Sequence, residues 1–240
     1  METPILDRTE SSNMNSPIKV LMTTWFPDGE DGQLRLETAD KALTSWVENL
    51  KYEGKFQLHI ADDGSDPNRL MSLRDRKLRW EPPVIFSHQQ RHGVGASLNA
   101  GVFQAREEDA LLLYLVDDWE LLQPLDLTPW AKLLMEDESI GMVRLGPPHP
   151  WLTGQIIHHP DCDWYIKLDR HHFVYGHRPA LYHRRFFDAY GLFKEGVSAY
   201  ECERLYNENF CQQSGPDIVL ALSHPWRHIE SVELAGVMPG

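Results

Sequence analysis

The chain opens on alternating blocks of apolar and polar residues. Residues 18–24 (IKVLMTT) are an apolar run bounded by a polar N-terminal stretch and by a loop containing Pro27, Gly29 and Gly32, and read as a first strand. From Leu36 to Lys51 the apolar positions Leu36, Ala39, Leu43, Trp46, Val47 and Leu50 share one helical face. Residues 56–61 (FQLHIA) predict a second strand, stopped by the turn formers Asp62-Asp63-Gly64-Ser65-Asp66-Pro67. A short helix near 68–76, a strand over 83–87, a helix over 94–106 and a strand over 111–116 follow. After residue 146 the periodicity fades. Residues 151–178 are rich in His, Asp and aromatics, and two helical stretches follow at 183–190 and 200–212, separated by Gly191 and Gly196.

Strands alternating with helices predict an α/β fold, a three-layer sandwich with a mainly parallel central sheet. Such sheets bind ligands beyond the carboxyl ends of their strands. Four polar clusters fall at those ends: Thr23-Thr24, Asp62-Asp63, the loop 88–93 and Asp117-Asp118. The sharpest is LLLYLVDDWELL over 111–122, where a buried-strand run ends in two adjacent acids. Carboxylates at such a place are costly to desolvate unless a positive group meets them. A divalent cation carrying a diphosphate is one such group, because oxygen ligands suit Mg²⁺ or Mn²⁺; an ordinary strand-ending turn is the other reading.

The 240 residues and 42% hydrophobic content fit one domain, 17–240, behind a polar leader at 1–16. The first half, 17–146, carries the strand-end clusters, and the second half is 147–240. A net charge of −13 disfavours nonspecific nucleic-acid binding, which needs a basic footprint. No run approaches the length of a membrane span, and no signal-peptide core begins the chain. Three cysteines without metal-type spacing point to reduced thiols and a cytoplasmic location.

Arg91-His92-Gly93-Val94-Gly95-Ala96-Ser97-Leu98-Asn99-Ala100-Gly101 combines three glycines with a helix start, a setting in which backbone N–H groups bind anions. It is neither a Walker loop nor a dinucleotide fingerprint. A carboxylate at Asp62 or Asp63 could accept from a base N–H or a ribose hydroxyl, or simply close an Asx turn. The segment IIHHPDCDWYIKLDRHHF offers His158, His159, Asp161, Cys162, Asp163, His171 and His172, but no pair has a standard zinc spacing, and it reads as a loop rather than a zinc site, on the acceptor side if the resemblance given below holds. Its aromatics, with Trp151, would stack on a sugar or a base, or pack the core.

Together TTWFPD, ADDGSD, RHGVGASLNAG and LYLVDDWEL, in this order, resemble an inverting GT-A glycosyltransferase of the family 2 type. The likeness is fullest over 18–146 and continues more weakly through PALYHRRFFDAYGLFKEG to AYECERLY. It implies a Rossmann-like nucleotide-sugar fold and a nucleotide-sugar donor, a UDP-sugar first. It implies that Thr23, Thr24 and Asp62 or Asp63 hold the nucleoside, with Arg91 and Asn99 nearby. Asp117 would sit beside the ribose or sugar, and Asp118, with the late His228, would bind Mn²⁺ or Mg²⁺. Relatives often carry an acid where this chain has Val116. An inverting transfer needs a general base; the resemblance implies Glu201, with Glu203 second. Positions i and i+2 face different sides of a helix, so one of them should face the site. The acceptor stays open among glycan, protein, metabolite and modified nucleobase. A nucleotidyltransferase, or a sugar-binding module without turnover, are the competing functions.

Overall fold

The computed structural model describes residues 17–75, 80, 84–87, 91–107, 110–148, 150–170, 174–223 and 225–229. The leader 1–16, residues 171–173 and the last residues from 230 lie outside them. In chain order the elements are β1 (Ile18–Thr24), α1 (Glu30–Asn49), β2 (Leu50–Lys51), β3 (Phe56–Asp62), α2 (Pro67–Arg74), β4 (Val84–Ser87), α3 (Val94–Glu107), β5 (Leu111–Val116), β6 (Trp119–Leu121) and β7 (Leu125–Asp126). There follow α4 (Thr128–Glu136), β8 (Ile140–Arg144), β9 (Gly154–His159), β10 (Asp163–Leu168), β11 (Ala180–Tyr182), α5 (Arg184–Tyr190), α6 (Ala199–Gln212), β12 (Asp217–Ala221) and β13 (Trp226–His228).

A nine-stranded sheet in the order β4-β3-β1-β5-β11-β8-β12-β10-β9 forms the middle layer. Neighbouring strands β4, β3, β1 and β5 are all parallel. Beyond them only β11 and β10 run against the common direction, so the sheet is mainly parallel. One face packs on α1, α2 and α4 through Trp46, Leu43, Leu73, Trp130 and Leu134. The other packs on α3, α5 and α6 through Leu98, Val102, Phe186, Tyr206 and Phe210. The three layers follow from strands such as β1, buried along its whole length, which need helices on both faces.

Helix α1 begins six residues before the predicted Leu36. Its acids Glu30 and Asp31 occupy the first turn, where they complement the helix dipole. The aperiodic 151–178 segment contains the hairpin β9–β10, turned at Asp163 with φ of 61°. Strands β6 and β13 form a separate antiparallel ribbon, pairing Trp119 with His228. Helix α1 grips β6: the Trp46 indole donates to Trp119 O at 2.6 Å and Asn49 Nδ2 to Leu121 O at 3.0 Å.

Candidate functional site

The strand ends coincide at one rim. Thr24 lies opposite Asp62, Asp62 opposite Ser87, and Thr23 opposite Val116. The clusters expected from the sequence to converge therefore do so, within the described residues. The rim opens into a cavity of about 560 Å³ whose walls include Thr23, Thr24, Trp25, Arg35, Asp63, Arg91, Asp117 and Asp118. A second cavity, about 760 Å³, adjoins it and shares Asp118 and His177; Trp119, Arg144, Trp151, Arg178, Tyr200, Glu203 and His228 complete much of its wall.

Asp62 and Asp63 divide their labour. Asp62 is fully buried and turns into its own loop. It accepts from Gly64 N at 3.2 Å, Ser65 N at 3.0 Å and the Ser65 and Thr24 hydroxyls. The Asx-turn reading thus describes Asp62, and only Asp63 of the pair lines the cavity. Asp63 accepts from His92 N at 2.6 Å and from Gly93 N at 3.0 Å, and Arg91 Nε stands 3.6 Å away. The N–H groups of the glycine loop are therefore taken by a carboxylate of the protein itself rather than left for a ligand. Gly93 adopts φ of 83°, which suits glycine. A Cβ at Gly95 would stand 2.2 Å from Lys194 O, so this glycine lets α3 meet the 193–197 loop. At Gly95 the loop serves packing, and at His92 and Gly93 its N–H groups are engaged by Asp63.

Asn99 departs from expectation in the same way. Its side chain is buried and lines neither cavity. Its amide donates to Phe193 O at 3.0 Å and to Glu195 Oε1 at 2.7 Å, and accepts from Phe193 N at 2.9 Å. Asn99 stitches α3 to the second half of the chain. Arg91, by contrast, stays at the mouth, its guanidinium 3.7 Å from the centroid of the Trp25 ring. Arg35 approaches the same ring at 5.4 Å. Thr23 Oγ1 lies 3.3 Å from the Tyr114 hydroxyl. Neither Trp25 nor Arg35 was singled out from the sequence, because the loop reading of residues 25–35 hid the start of α1.

Asp117 is buried, and burial, with the charge of neighbouring Asp118, pushes its carboxyl up to about 7; Arg35 acts against this. Asp118 is more open. Its Oδ2 lies 3.1 Å from His228 Nε2, and its Oδ1 is buried without a hydrogen-bond partner. The His228 ring meets Trp119 edge-on at 5.3 Å, and Ile229 N donates to Asp118 O at 2.7 Å. The β6–β13 ribbon thus brings together two residues 110 positions apart. No group of three or more His, Cys, Asp or Glu residues suited to a metal occurs among the described residues, the 158–163 segment included. His171 and His172 lie outside them.

Helix α6 places the two glutamates in different surroundings. Glu201 forms a bidentate pair with Arg204, both contacts 2.8 Å, which holds its carboxyl below the usual range. It lines neither cavity. Arg204 also pairs with Glu208 along the outer face of the helix. Glu203 lines the second cavity and accepts from His177 N at 2.5 Å. The buried His177 ring is pushed down to about 4 by desolvation, so it is neutral at pH 7. Helix α6 starts at Ser198, whose hydroxyl accepts from Glu201 N, and its inner stripe of Cys202, Tyr206 and Phe210 fixes the rotation that aims Glu203 inward.

No family model and no curated protein matches the sequence. Solved structures do match in fold. GalNAc-T7 with UDP, GalNAc and Mn²⁺ superposes with a TM-score of 0.60 at 15% identity, over 91% of this chain and 44% of that one. TarS residues 1–349 of S. aureus with UDP-GlcNAc gives 0.61 at 11% identity, over 93% and 62%. The same protein with UDP gives 0.57 at 11% identity, over 88% and 59%. This chain thus spans less than two thirds of each of these solved chains, and shares with them the GT-A glycosyltransferase fold.

Proposed function

We propose that the protein is an inverting glycosyltransferase of the family 2 type that moves a hexosyl unit from a UDP-sugar to an acceptor hydroxyl with the help of Mn²⁺ or Mg²⁺. The observation that carries this reading is Asp118, shared by a donor-side and an acceptor-side cavity, with His228, 3.1 Å away, on the wall of the second. The bound UDP and Mn²⁺ of the fold neighbours support it.

On the donor side Thr23, Thr24, Asp63 and Arg91 would hold the nucleoside, with the Trp25 ring as a wall. Asp117 would face the ribose or sugar. The residues present fit a divalent ion. Asp118 Oδ1 is a buried carboxylate oxygen with no partner, and His228 adds an imidazole nitrogen. Two protein ligands leave positions for diphosphate oxygens and water, the usual habit of Mg²⁺ and open to Mn²⁺. When bound, the ion would neutralise charge on the departing diphosphate.

Glu203 would act as the general base. It takes the proton of the acceptor hydroxyl as that oxygen bonds to the anomeric carbon. The bond from that carbon to the diphosphate breaks, and the electron pair leaves with the diphosphate. A single displacement of this kind inverts the anomeric centre. Neutral His177 beside Glu203 leaves the carboxylate free of a competing imidazolium. A nucleotidyltransferase needs basic residues directly after β1, where this chain has TrpPhePro and then acids. The three free cysteines among the described residues fit a cytoplasmic setting. No helix among the described residues is long and apolar enough to cross a membrane.

The test is a calorimetric titration of UDP with and without Mn²⁺, followed by a hydrolysis assay on a panel of UDP-sugars. Metal-dependent UDP binding with slow hydrolysis is expected. Binding without turnover on any sugar would favour the sugar-binding module instead, and absence of UDP binding would end the proposal.

A further inference from the structure

The acceptor-side cavity has a charge the transfer reaction does not use. Arg144 and Arg178 both line it; burial first, and then the charge of Arg178, lowers the basicity of Arg144. Arg144 is 2% exposed. Its NH1 donates to Val174 O at 2.7 Å, while its Nε finds no acceptor. Arg178 donates to Pro147 O at 2.9 Å and lies over the Trp119 ring. Among the described residues neither guanidinium makes an ion pair. Glu203 opposes the two guanidiniums only across the cavity, so one negative charge answers two positive ones, and a buried cation short of a paired counter-ion is costly. It is the more notable in a chain of net charge −13, whose overall field would repel an anion from any site lacking local positive charge.

Gly176 opens space between these groups. A Cβ built there would stand 3.7 Å from Glu203 Oε1, 3.9 Å from Arg144 NH2 and 4.0 Å from Arg178 Cγ. The carboxylate and the two arginines therefore converge on one gap. Outside it, Trp151 and Tyr200 are each 66% exposed and line the same cavity, offering planar faces to a ring.

We infer that the acceptor is an anion: a hydroxyl compound carrying a phosphate or carboxylate group, held by Arg144 and Arg178 so that its hydroxyl reaches Glu203. This deepens the glycosyltransferase reading and rests on it. Guanidinium forks pair with either oxyanion through two parallel hydrogen bonds. The anion completes the charge balance of the cavity, and the aromatic rim receives the rest of the molecule.

The experiment begins with the protein saturated in UDP and Mn²⁺, so that the donor side is filled. Inorganic phosphate and acetate are then titrated separately, and binding is followed by calorimetry and by the change in total tryptophan fluorescence, to which Trp119 and Trp151 contribute. Saturable binding of at least one anion is expected, and which one binds tells a phosphate-bearing from a carboxylate-bearing acceptor. Arg178→Gln should weaken that binding at least tenfold while changing UDP affinity less than twofold. Gly176→Leu keeps both guanidiniums but fills the gap, and should abolish anion binding with UDP affinity kept; a melting curve checks that each variant is folded. Anion binding that does not saturate, or that survives both variants, overturns the inference. So does an equal loss of UDP and anion binding in Arg178→Gln, which would assign the guanidinium to the donor diphosphate. If UDP itself fails to bind the wild-type protein, the functional reading fails first, at a step separate from the anion titration.

Discussion

The two halves of the molecule spend their polar groups differently. On the donor side, Asp62 accepts from backbone and hydroxyl donors around its own loop, Asp63 accepts from the His92 and Gly93 N–H groups while still lining the cavity, and Asn99 gives every amide atom to the 193–195 loop. On the acceptor side, Arg144 Nε and His177 Nε2 are buried without partners, and Glu203 accepts from a single backbone N–H and lies 3.5 Å from His177 Nδ1. The donor side is largely a finished scaffold, although Ser97 Oγ and Asp118 Oδ1 on its cavity wall are buried without hydrogen-bond partners among the described residues. The acceptor side holds groups at an energetic cost, and such costs concentrate where chemistry or recognition happens.

The contrast can be broken most sharply at the residues that join the halves. Asp118→Ala should reduce metal-dependent UDP binding and donor hydrolysis by at least ~100-fold with an unchanged melting curve. Glu203→Gln should lower transfer by roughly 10²- to 10⁴-fold, the usual weight of a general base, without weakening UDP binding. Glu201→Gln should leave both intact. If Glu201→Gln proves the damaging variant in a transfer assay, the rotation of α6 assigned here is wrong.

Stability offers the next test. Burial holds the His177 ring near 4, against about 6.5 in the unfolded chain. The unfolded state therefore binds the proton first as the solution is acidified. The contribution of the neutral ring is complete above about pH 6.5 and is lost as pH falls towards 4, amounting to about 3 kcal/mol at full protonation. Chemical denaturation at pH 7 and pH 4.5 should show wild type losing about 2 kcal/mol relative to His177→Phe over this interval, a difference in which the opposite contribution of the raised Asp117 carboxyl cancels; equal pH dependence in both proteins would exclude this account. Asn99→Ala should cost about 1–3 kcal/mol by leaving Phe193 N without its acceptor, while UDP affinity is kept. A selective loss of UDP binding there would return Asn99 to the donor site. The smallest effect is expected at Arg91→Ala, a fewfold loss of UDP affinity, since its guanidinium is exposed and the Trp25 wall remains.

Much of the scaffold side was legible in the sequence because its signals are local. The runs IKVLMTT, FQLHIA and LLLYLV are long enough to mark buried parallel strands, and the clusters that end them had to share a rim once those strands were parallel neighbours. The acceptor side resisted because its elements are short and held by distant partners. Strands β11 and β13 have three residues each, and Ile156 and Trp164 are exposed on the hairpin where alternation would have asked for burial. Arg144 ends a strand like any surface arginine, and only tertiary packing buries it. One clue for the glutamates was available: Arg204 stands three residues after Glu201, the spacing of an ion pair on a helix surface, which marks Glu201 as an outward residue. The roles of Gly95 and Asn99 could not be read, since each depends on a loop nearly a hundred positions away.

Under the proposed function, the ribbon of β6 and β13 carries a consequence for ion choice. Asp118 and His228 hang from two backbones tied rung to rung, with Ile229 N bonded to Asp118 O, so their spacing is set by the geometry of a strand pair, like the jaws of a caliper. Substitutions that loosen the helical layers would shift this caliper bodily without resetting its width. The preference between manganese and magnesium should then persist in variants that melt many degrees earlier.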